Sequence, residues 1–458
     1  MTIHYTALTG ALAAQTALAA ASHNIANVMT PGFTRQGALF AAVGPFKGGV
    51  AATGGGVSVP ALLRFSDGYK NMQMWQANAE LGRYNTSQPY MKQLEQVMGD
   101  DGSSLNSGLD LFFNALNAAS VDPTSAPLRQ QVITSAEALA QRFNNLNQVL
   151  NNQRASVAQQ RTASVAQVNS LSAEIADLNE KIAATRATGI NPSSLMDARD
   201  LKIDALSNLV GLQVVEQADG SASVSLRSGV PLVAGSLAAT LSTVNNPGGS
   251  QTLKLAFASE SFTVTQGNLG GQLGGLDEFE RTVLKPVIDD VAALAEEIAT
   301  RVNTQMAAGF AMDGTPGTDL FQFDAASTGL LKVVDGLLGE DLAFSSDPTK
   351  PGNSDNLQAL IGLRDQPLTV PSLGTVRLGD IYTQIVGRLG TQNQQARAAH
   401  DTAKTVRNQA EESWKSTSGV NTDEEAINIV QYQQMYQANM KVLAVSNELF
   451  DTTLAMFG

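Results

Sequence analysis

Two apolar rows run down the last forty residues with a seven-residue repeat. Met435, Val442, Leu449 and Met456 form one, and Ile429, Tyr436, Leu443, Phe450 and Phe457 the other. A sustained seven-residue period is the mark of helix packed on helix. No Pro or Gly interrupts the stretch, and Asn421 or Thr422 suits an N-cap. Asp423, Glu424 and Glu425 then place negative charge at the positive end of the helix dipole. At the other end of the chain Ala11, Leu18 and Ile25 are again seven apart. Leu8 and Leu12 widen that face, and many alanines allow a second backbone to approach. The pattern predicts that the two ends pair. Their apolar rows are too wide for one two-helix seam, so the ends are also expected to pack on copies or neighbours of the same kind.

The most regular stretch follows Asp122-Pro123. Val132, Ala136, Leu139, Phe143, Leu146, Leu150, Gln153, Val157, Gln160 and Ser164 step by four and three. An extra four-residue step leads to Val168, Leu171, Ile175, Leu178, Ile182 and Thr185. This is a coiled-coil pattern with a stutter and a polar, loosely specified middle. Ser125 to Arg186 contains no Gly, so one long strut is expected. Helical character resumes near Ser66, with Pro89 at a bend or near the next helix start. A returning helix over Ser194 to Leu209 and two further helical stretches, Leu276 to Met306 and Gly379 to Lys415, complete the helical part.

From Gly211 to Thr265 the period changes to two, with turns at Asp219-Gly220 and Asn246-Pro247-Gly248. Alternation of this kind predicts strands. The expected fold is mainly α with an inserted β domain that buries a small core of its own. The domains expected are a terminal coiled-coil domain, 1-35 plus 416-458, and a helical bundle, 36-210 plus 271-310 plus 375-415. A β-rich outer part, 211-270, has 311-374 as a candidate addition through the strand-like run Leu331 to Val334.

SHNIANVMTPGFTRQ (Ser22 to Gln36), GQLGGLDEFER (Gly271 to Arg281), DGTPGTDLF (Asp313 to Phe321) and GVNTDEEAINIVQYQQMYQANMKVL (Gly419 to Leu443) are spread over nearly the whole chain. Together they resemble the bacterial flagellar axial proteins of rod and hook, and among them the subunits that join hook to filament. The resemblance implies a structural subunit whose terminal helices form an inner tube layer. The seam residues would be Leu8, Leu12, Leu18, Ile25, Ile429, Met435, Tyr436, Val442, Leu443, Leu449, Phe450 and Phe457. Implied partners are copies of itself, neighbouring hook and junction subunits, and an export chaperone. Implied too are an extracellular place in the flagellum and type III export without a cleaved signal peptide. The short interval from Asp313 to Gly379 suggests that an outer domain of longer relatives is absent. Another hook or rod subunit is the nearest alternative, and a flagellum-associated cell-wall hydrolase a more distant one.

Composition narrows the chemistry. At 458 residues, 43% apolar and 16% charged, the chain suits two or three folded domains. A net charge of −13 argues against nucleic acid or an anionic membrane as partner. The absence of cysteine removes disulfides, thiolate metal sites and a cysteine nucleophile. His4, His23 and His400 lie apart, and Asp289-Asp290, Glu296-Glu297 and Glu411-Glu412 read as solvated helix faces. Asp313 and Asp319 lack calcium-loop spacing, and Gly54-Gly55-Gly56 lacks the Lys-Ser/Thr of a phosphate loop. Trp75 and Trp414 read as buried packing. No active site, metal site or cofactor is expected.

Overall fold

The N-terminal helix α1 (Thr2–Ala26) turns at Thr30-Pro31-Gly32 into an antiparallel hairpin, β1 (Gln36–Val43) and β2 (Gly56–Arg64). The computed structural model describes residues 2–44, 54–100, 104–247, 249–264, 267–326 and 329–457, and all but the side chains of Thr2 and Phe457 within them. Helices α2 (Gly68–Gly99), α3 (Leu105–Ala119), α4 (Ala126–Ala187) and α5 (Ser193–Leu209) follow. The insertion holds β3 (Leu212–Glu216), β4 (Ala222–Leu226), β5 (Pro231–Ala234), β6 (Leu237–Ala238), β7 (Thr240–Asn245), β8 (Gln251–Phe257) and β9 (Glu260–Val264). They form two antiparallel sheets, ordered β3-β4-β5-β6 and β7-β8-β9. Next come α6 (Gly271–Phe279), a π-helical step (Glu280–Leu284) and α7 (Lys285–Ala307). The chain closes with β10 (Phe321–Phe323), β11 (Leu331–Val333), α8 (Asp355–Gly362), β12 (Pro367–Val370), β13 (Gly374–Arg377), α9 (Ile381–Ser418) and α10 (Thr422–Phe457). The mainly helical fold with small sheets in its middle is the one expected.

The strut is unbroken. α4 has 62 residues, about 90 Å at 1.5 Å per residue. Val132, Ala136, Leu139, Phe143, Leu146, Leu150, Gln153, Val157, Ser164, Val168, Ile175 and Ile182 are buried as their spacing predicts. Gln160, Leu171, Leu178 and Thr185 are only half-buried, and Arg161, Ser172 and Asn179 take inside positions beside them. A straight α-helix drifts about 20° per heptad, so over this length the inward stripe moves on to the next residue.

Two hydrophobic cores hang on the strut. The first joins the end of α2, α3, the first half of α4, α6, α7 and the segment 320–389, with Phe112, Phe143, Phe279, Phe321 and Phe344 fully buried. The second joins Trp75, the later half of α4, α5 and the strands of the insertion. Between them sits Arg161, whose guanidinium donates to Glu280 (2.5 Å) and Gln251 (3.4 Å). Glu280 opens the π-helical step, so the irregular turn of one helix and the stutter of the other meet at one buried ion pair. The polar middle of α4 is thus firmly specified.

Asparagine side chains tie extended segments to the helices. Asn179 donates to the Ala222 carbonyl (2.8 Å) and accepts its N–H (2.8 Å). Asn169 pairs the same way with Leu241, Asn144 with Leu331, Asn303 with Phe321, and Asn24 with Gln36. Each amide imitates a neighbouring strand for one residue.

Several expectations are corrected. The insertion does not bury a core of its own: Val224, Leu241, Leu253 and Leu255 share one cluster with Val168, Ile175, Ile203 and Leu206. A sheet with one apolar face must bury it against another element, and here α4 and α5 cover it. The run at Leu331 pairs with β10, not with the insertion, because Phe321 and Leu331 find their apolar neighbours in the first core. Pro89 lies inside a continuous α2, where buried Ala79, Met91 and Leu94 on either side outweigh one lost hydrogen bond. Asp290 is not solvated. It is fully buried, bonded by Arg388 (2.8 Å) and by the Ser372 N–H (3.2 Å). Parts of the glycine-rich stretch (45–53), Gly248 and Thr265 lie outside the described residues.

Two outcomes follow from this packing. Asn179→Ala leaves the Ala222 N–H and carbonyl unpaired and should lower stability by about 1–3 kcal/mol per group. Asn152→Ala, exposed on the same helix, should change it by less than about 0.5 kcal/mol. Urea unfolding of both variants checks this. Replacing residues 212–264 by a Gly/Ser linker should strip the second core and make α5 and the later half of α4 sensitive to limited proteolysis. A deletion as resistant as the parent would show that the helices pack without the strands.

Candidate assembly interface

α1 and α10 pack along each other in opposite directions, Gly10 facing Asn439 and Arg35 meeting Glu424 at the other end. The contact is made by small residues. Ala7, Ala11, Ala14, Ala17 and Ala21 are buried on α1, and a Cβ on Gly10 would lie 2.4 Å from the Asn439 side-chain oxygen. On α10, Ile429, Tyr432, Met435, Asn439 and Leu443 are half-buried, spaced by three and four. The hairpin covers part of this pair: Phe40 packs on Tyr432 with ring centroids 6.3 Å apart, and Thr9 Oγ1 accepts the Val57 N–H (3.4 Å). Residues 36–64, expected in the helical bundle, thus lie against the terminal helices.

Of the expected seam residues, Leu18, Ile25, Ile429, Met435 and Leu443 are half-buried in the single chain. Leu8, Leu12, Tyr436, Val442, Leu449 and Phe450 are exposed, Leu449 by 60% and Phe450 by 63%. The side chain of Phe457 is outside the described residues. With Gly10 opposite Asn439, the first residues of α1 fall opposite residues near Asn447. The last ten or so residues of α10 therefore extend about 15 Å past α1. Leu449, Phe450, Leu454 and Met456 are all exposed there.

The corner that joins this pair to the rest is built by the sequence motifs. Asn24 holds the backbone of Gln36. Asn27 accepts from Thr30 (3.2 Å), and His23 packs edge-on against Phe33. Gly32 has φ +76° and would press a Cβ on Leu201 at 3.3 Å, so glycine is required. Arg35 donates its N–H to Ser418 and its side chain to Glu424 (2.7 Å), while Asn421 caps α10 by accepting the Asp423 N–H (3.0 Å). Arg64 bridges Asp197 (2.8 Å) and Asp200 (2.7 Å) of α5. Nearby, burial pushes the Asp204 carboxyl up, opposed by the Arg407 charge at 3.6 Å. The sequence reading missed Arg64, Asp197 and Asp200, since their partners are more than 130 residues apart. Trp75 is buried and Trp414 half-buried, both beside this corner.

A family model described as the flagellar hook-associated protein FlgK helical domain matches residues 91–321. The chain belongs to the flagellar hook-associated protein FlgK family. Its ends match models shared more widely: the flagella basal body rod protein at 5–34 and the flagellar basal body rod FlgEFG protein C-terminal at 416–456. Flagellar hook-associated protein 1 of Bacillus subtilis is 28% identical over 495 aligned residues, covering 97% of this chain and 96% of the relative. That of Salmonella typhimurium is 27% identical over 552, covering 98% of each. The flagellar hook junction protein FlgK of Burkholderia pseudomallei shares the fold at a TM-score of 0.68 and 19% identity, covering 75% of this chain and all of that one. Membership makes the chain a structural axial subunit rather than an enzyme. Among the described residues no helix is long and apolar enough to cross a membrane.

The close approach at Gly10 gives a direct test. Gly10→Leu drives a side chain into Asn439 and should part α1 from α10. Both ends of the purified chain would then be trimmed faster by protease, with the body between residues 68 and 418 unaffected. Equal trimming rates in parent and variant would show that the pair does not depend on this contact.

Proposed function

We propose that the chain is a hook–filament junction subunit that assembles through its terminal pair. The FlgK helical domain over 91–321 favours this place over another rod or hook subunit, whose shared models match only the ends. What carries the assembly reading is the open apolar face of α1 and α10, from Leu8 and Leu12 to Val442, Leu449 and Phe450. Burying one such side chain contributes about 1.5–3 kcal/mol, so neighbouring copies and axial subunits that cover the row stabilise both partners. The terminal pair forms the inner tube layer, the helical body with α4 the next, and the insertion lies outside. The division into terminal, helical and β-rich parts belongs to this reading, with residues 311–374 built onto the helical body. The aligned length of 552 exceeds the 458 residues here, which supports the absence of a segment that longer relatives carry. Export without a cleaved leader, a chaperone that shields the apolar ends beforehand, and an extracellular place in the flagellum complete the proposal.

Phe450→Asp tests it. The residue is exposed in the single chain, so the variant should unfold within about 0.5 kcal/mol of the parent. In the assembled tube it would set an unpaired charge in an apolar contact. The expected phenotype is a hook without filament and flagellin lost to the medium. Normal motility with Phe450→Asp would remove the seam from the proposal.

A further inference from the structure

The waist of the body, where the two cores part, holds one carboxylate more than it pairs. Arg161 of α4 bonds Glu280, which opens the π-helical step. Asp277 lies one turn before Glu280 on α6 and faces the same guanidinium. It is 5% exposed, and its Oδ2 is buried without a hydrogen-bond partner. Buried polar atoms are ordinarily satisfied. Arg281 Nε stands 3.9 Å from that oxygen, on a half-exposed side chain. The Gly267 N–H bonds the Asp277 carboxyl, and Gln251 of β8 accepts from Arg161 (3.4 Å). The adjacent acid, Glu278, is engaged elsewhere, on Arg83 of α2 (2.7 Å). Burial pushes the Asp277 carboxyl up and the Glu280 charge adds to this, while Arg161, Arg281 and the Gly267 N–H oppose it.

We propose that the waist is a clamp tightened by protons: Asp277 takes up a proton as the solution turns acidic and leaves Arg161 to Glu280 alone. A carboxyl that holds its proton more firmly in the folded chain than in the unfolded one stabilises the fold when protonated. Its contribution is complete below the unfolded value near 3.8 and is lost as pH rises through the higher folded value. Above that, a second buried negative charge faces a guanidinium that Glu280 already occupies. The cost falls on the contact that sets α4 against the π-helical step. Asp219, Asp313 and Asp347 act the other way, held low by the hydroxyls of Ser221, Thr315 and Thr349, so their contribution is lost on acidification. Asp277 offsets part of that loss at the place where the two cores part. The clamp belongs to the body, whose cores contain no residue of α1 or α10, so it stands or falls apart from the junction role.

Asp277→Asn keeps the shape of the protonated acid and fixes its charge at zero. In urea unfolding of the full-length chain, followed by far-ultraviolet circular dichroism, this variant should have the higher midpoint at about pH 8. The difference should shrink steadily towards about pH 4. Glu280→Gln reverses the sign, because Asp277 is then the remaining counter-ion of Arg161. Adding Asp277→Asn to Glu280→Gln should therefore lower the midpoint at about pH 8. Arg281→Gln removes a charge that opposes protonation of Asp277, at a half-exposed position that tolerates exchange. It should lower the midpoint more at about pH 8 than at about pH 5, and it supplies the comparison if the Asp277 variants do not fold. The proposal is overturned by an Asp277→Asn difference that does not change with pH or has one sign in both backgrounds. A parent more stable than Asp277→Asn in the alkaline range, or an equal loss in Arg281→Gln at both pH values, overturns it too.

Discussion

The architecture depends on how extended segments are held to helices. Five asparagines, Asn24, Asn144, Asn169, Asn179 and Asn303, each give one residue of an extended segment both a donor and an acceptor. A carboxamide has the same pair of groups as a peptide, so it can stand where a further strand would. That solves two problems with one side chain. It satisfies backbone groups which burial would otherwise leave unpaired, and it blocks strand positions that could pair with another chain. For a subunit that packs among other axial subunits, stray strand pairing would compete with correct assembly. Three of the five sit on α4, and that helix consequently sets the position of the insertion and of β11 together.

The terminal pair divides its residues by size. Alanines and Gly10 make the contact within the chain, and larger apolar side chains are left outward. Small residues let two backbones come close but bury little apolar area, so the pair contributes modestly to the single chain. The large side chains contribute little in the single chain, because water still covers them. A subunit built this way can remain separate at net charge −13 and still gain strongly from assembly, because repulsion between charged bodies is long-ranged and screened by salt, whereas apolar burial acts on contact.

Elements whose signal is local were legible in the sequence. The heptads of α4 and α10, the Asn421 cap, the turn into the hairpin and the switch to period two each depend on neighbours within a few residues. Pairing of the two ends was legible because both carried an apolar stripe that needed covering. The direction of the stripes was not: Leu8 and Leu12 extend the apolar face of α1, yet alanines do the packing. Periodicity shows that a face is apolar and leaves open which part meets which partner. The asparagine pairs, the Arg161–Glu280 ion pair and the burial of Asp290 were also hidden. Asn144 and Leu331 are 187 residues apart, and an asparagine on a helix has the same local pattern whether it meets solvent or a strand.

Polar groups therefore set position at each level while apolar ones supply cohesion. Arg161 and Glu280 lie where the two cores part, and exchanging such a pair for apolar residues would often cost no stability. Its effect is on register: α4 cannot slide against the π-helical step without leaving two charges buried and unpaired. The asparagines do the same for strands, and Arg64 with Asp197 and Asp200 does it for the terminal pair. The three differ in burial. Arg161 is sealed, with 2% of its side chain exposed, while Arg64 retains 11% and Arg35 23%. Water can replace lost partners more readily at the exposed end of that series, so rearrangement is easiest at the joint and hardest at the waist. That gradient favours a body held firmly along α4 and a more adaptable joint beside the exposed apolar row of the terminal pair.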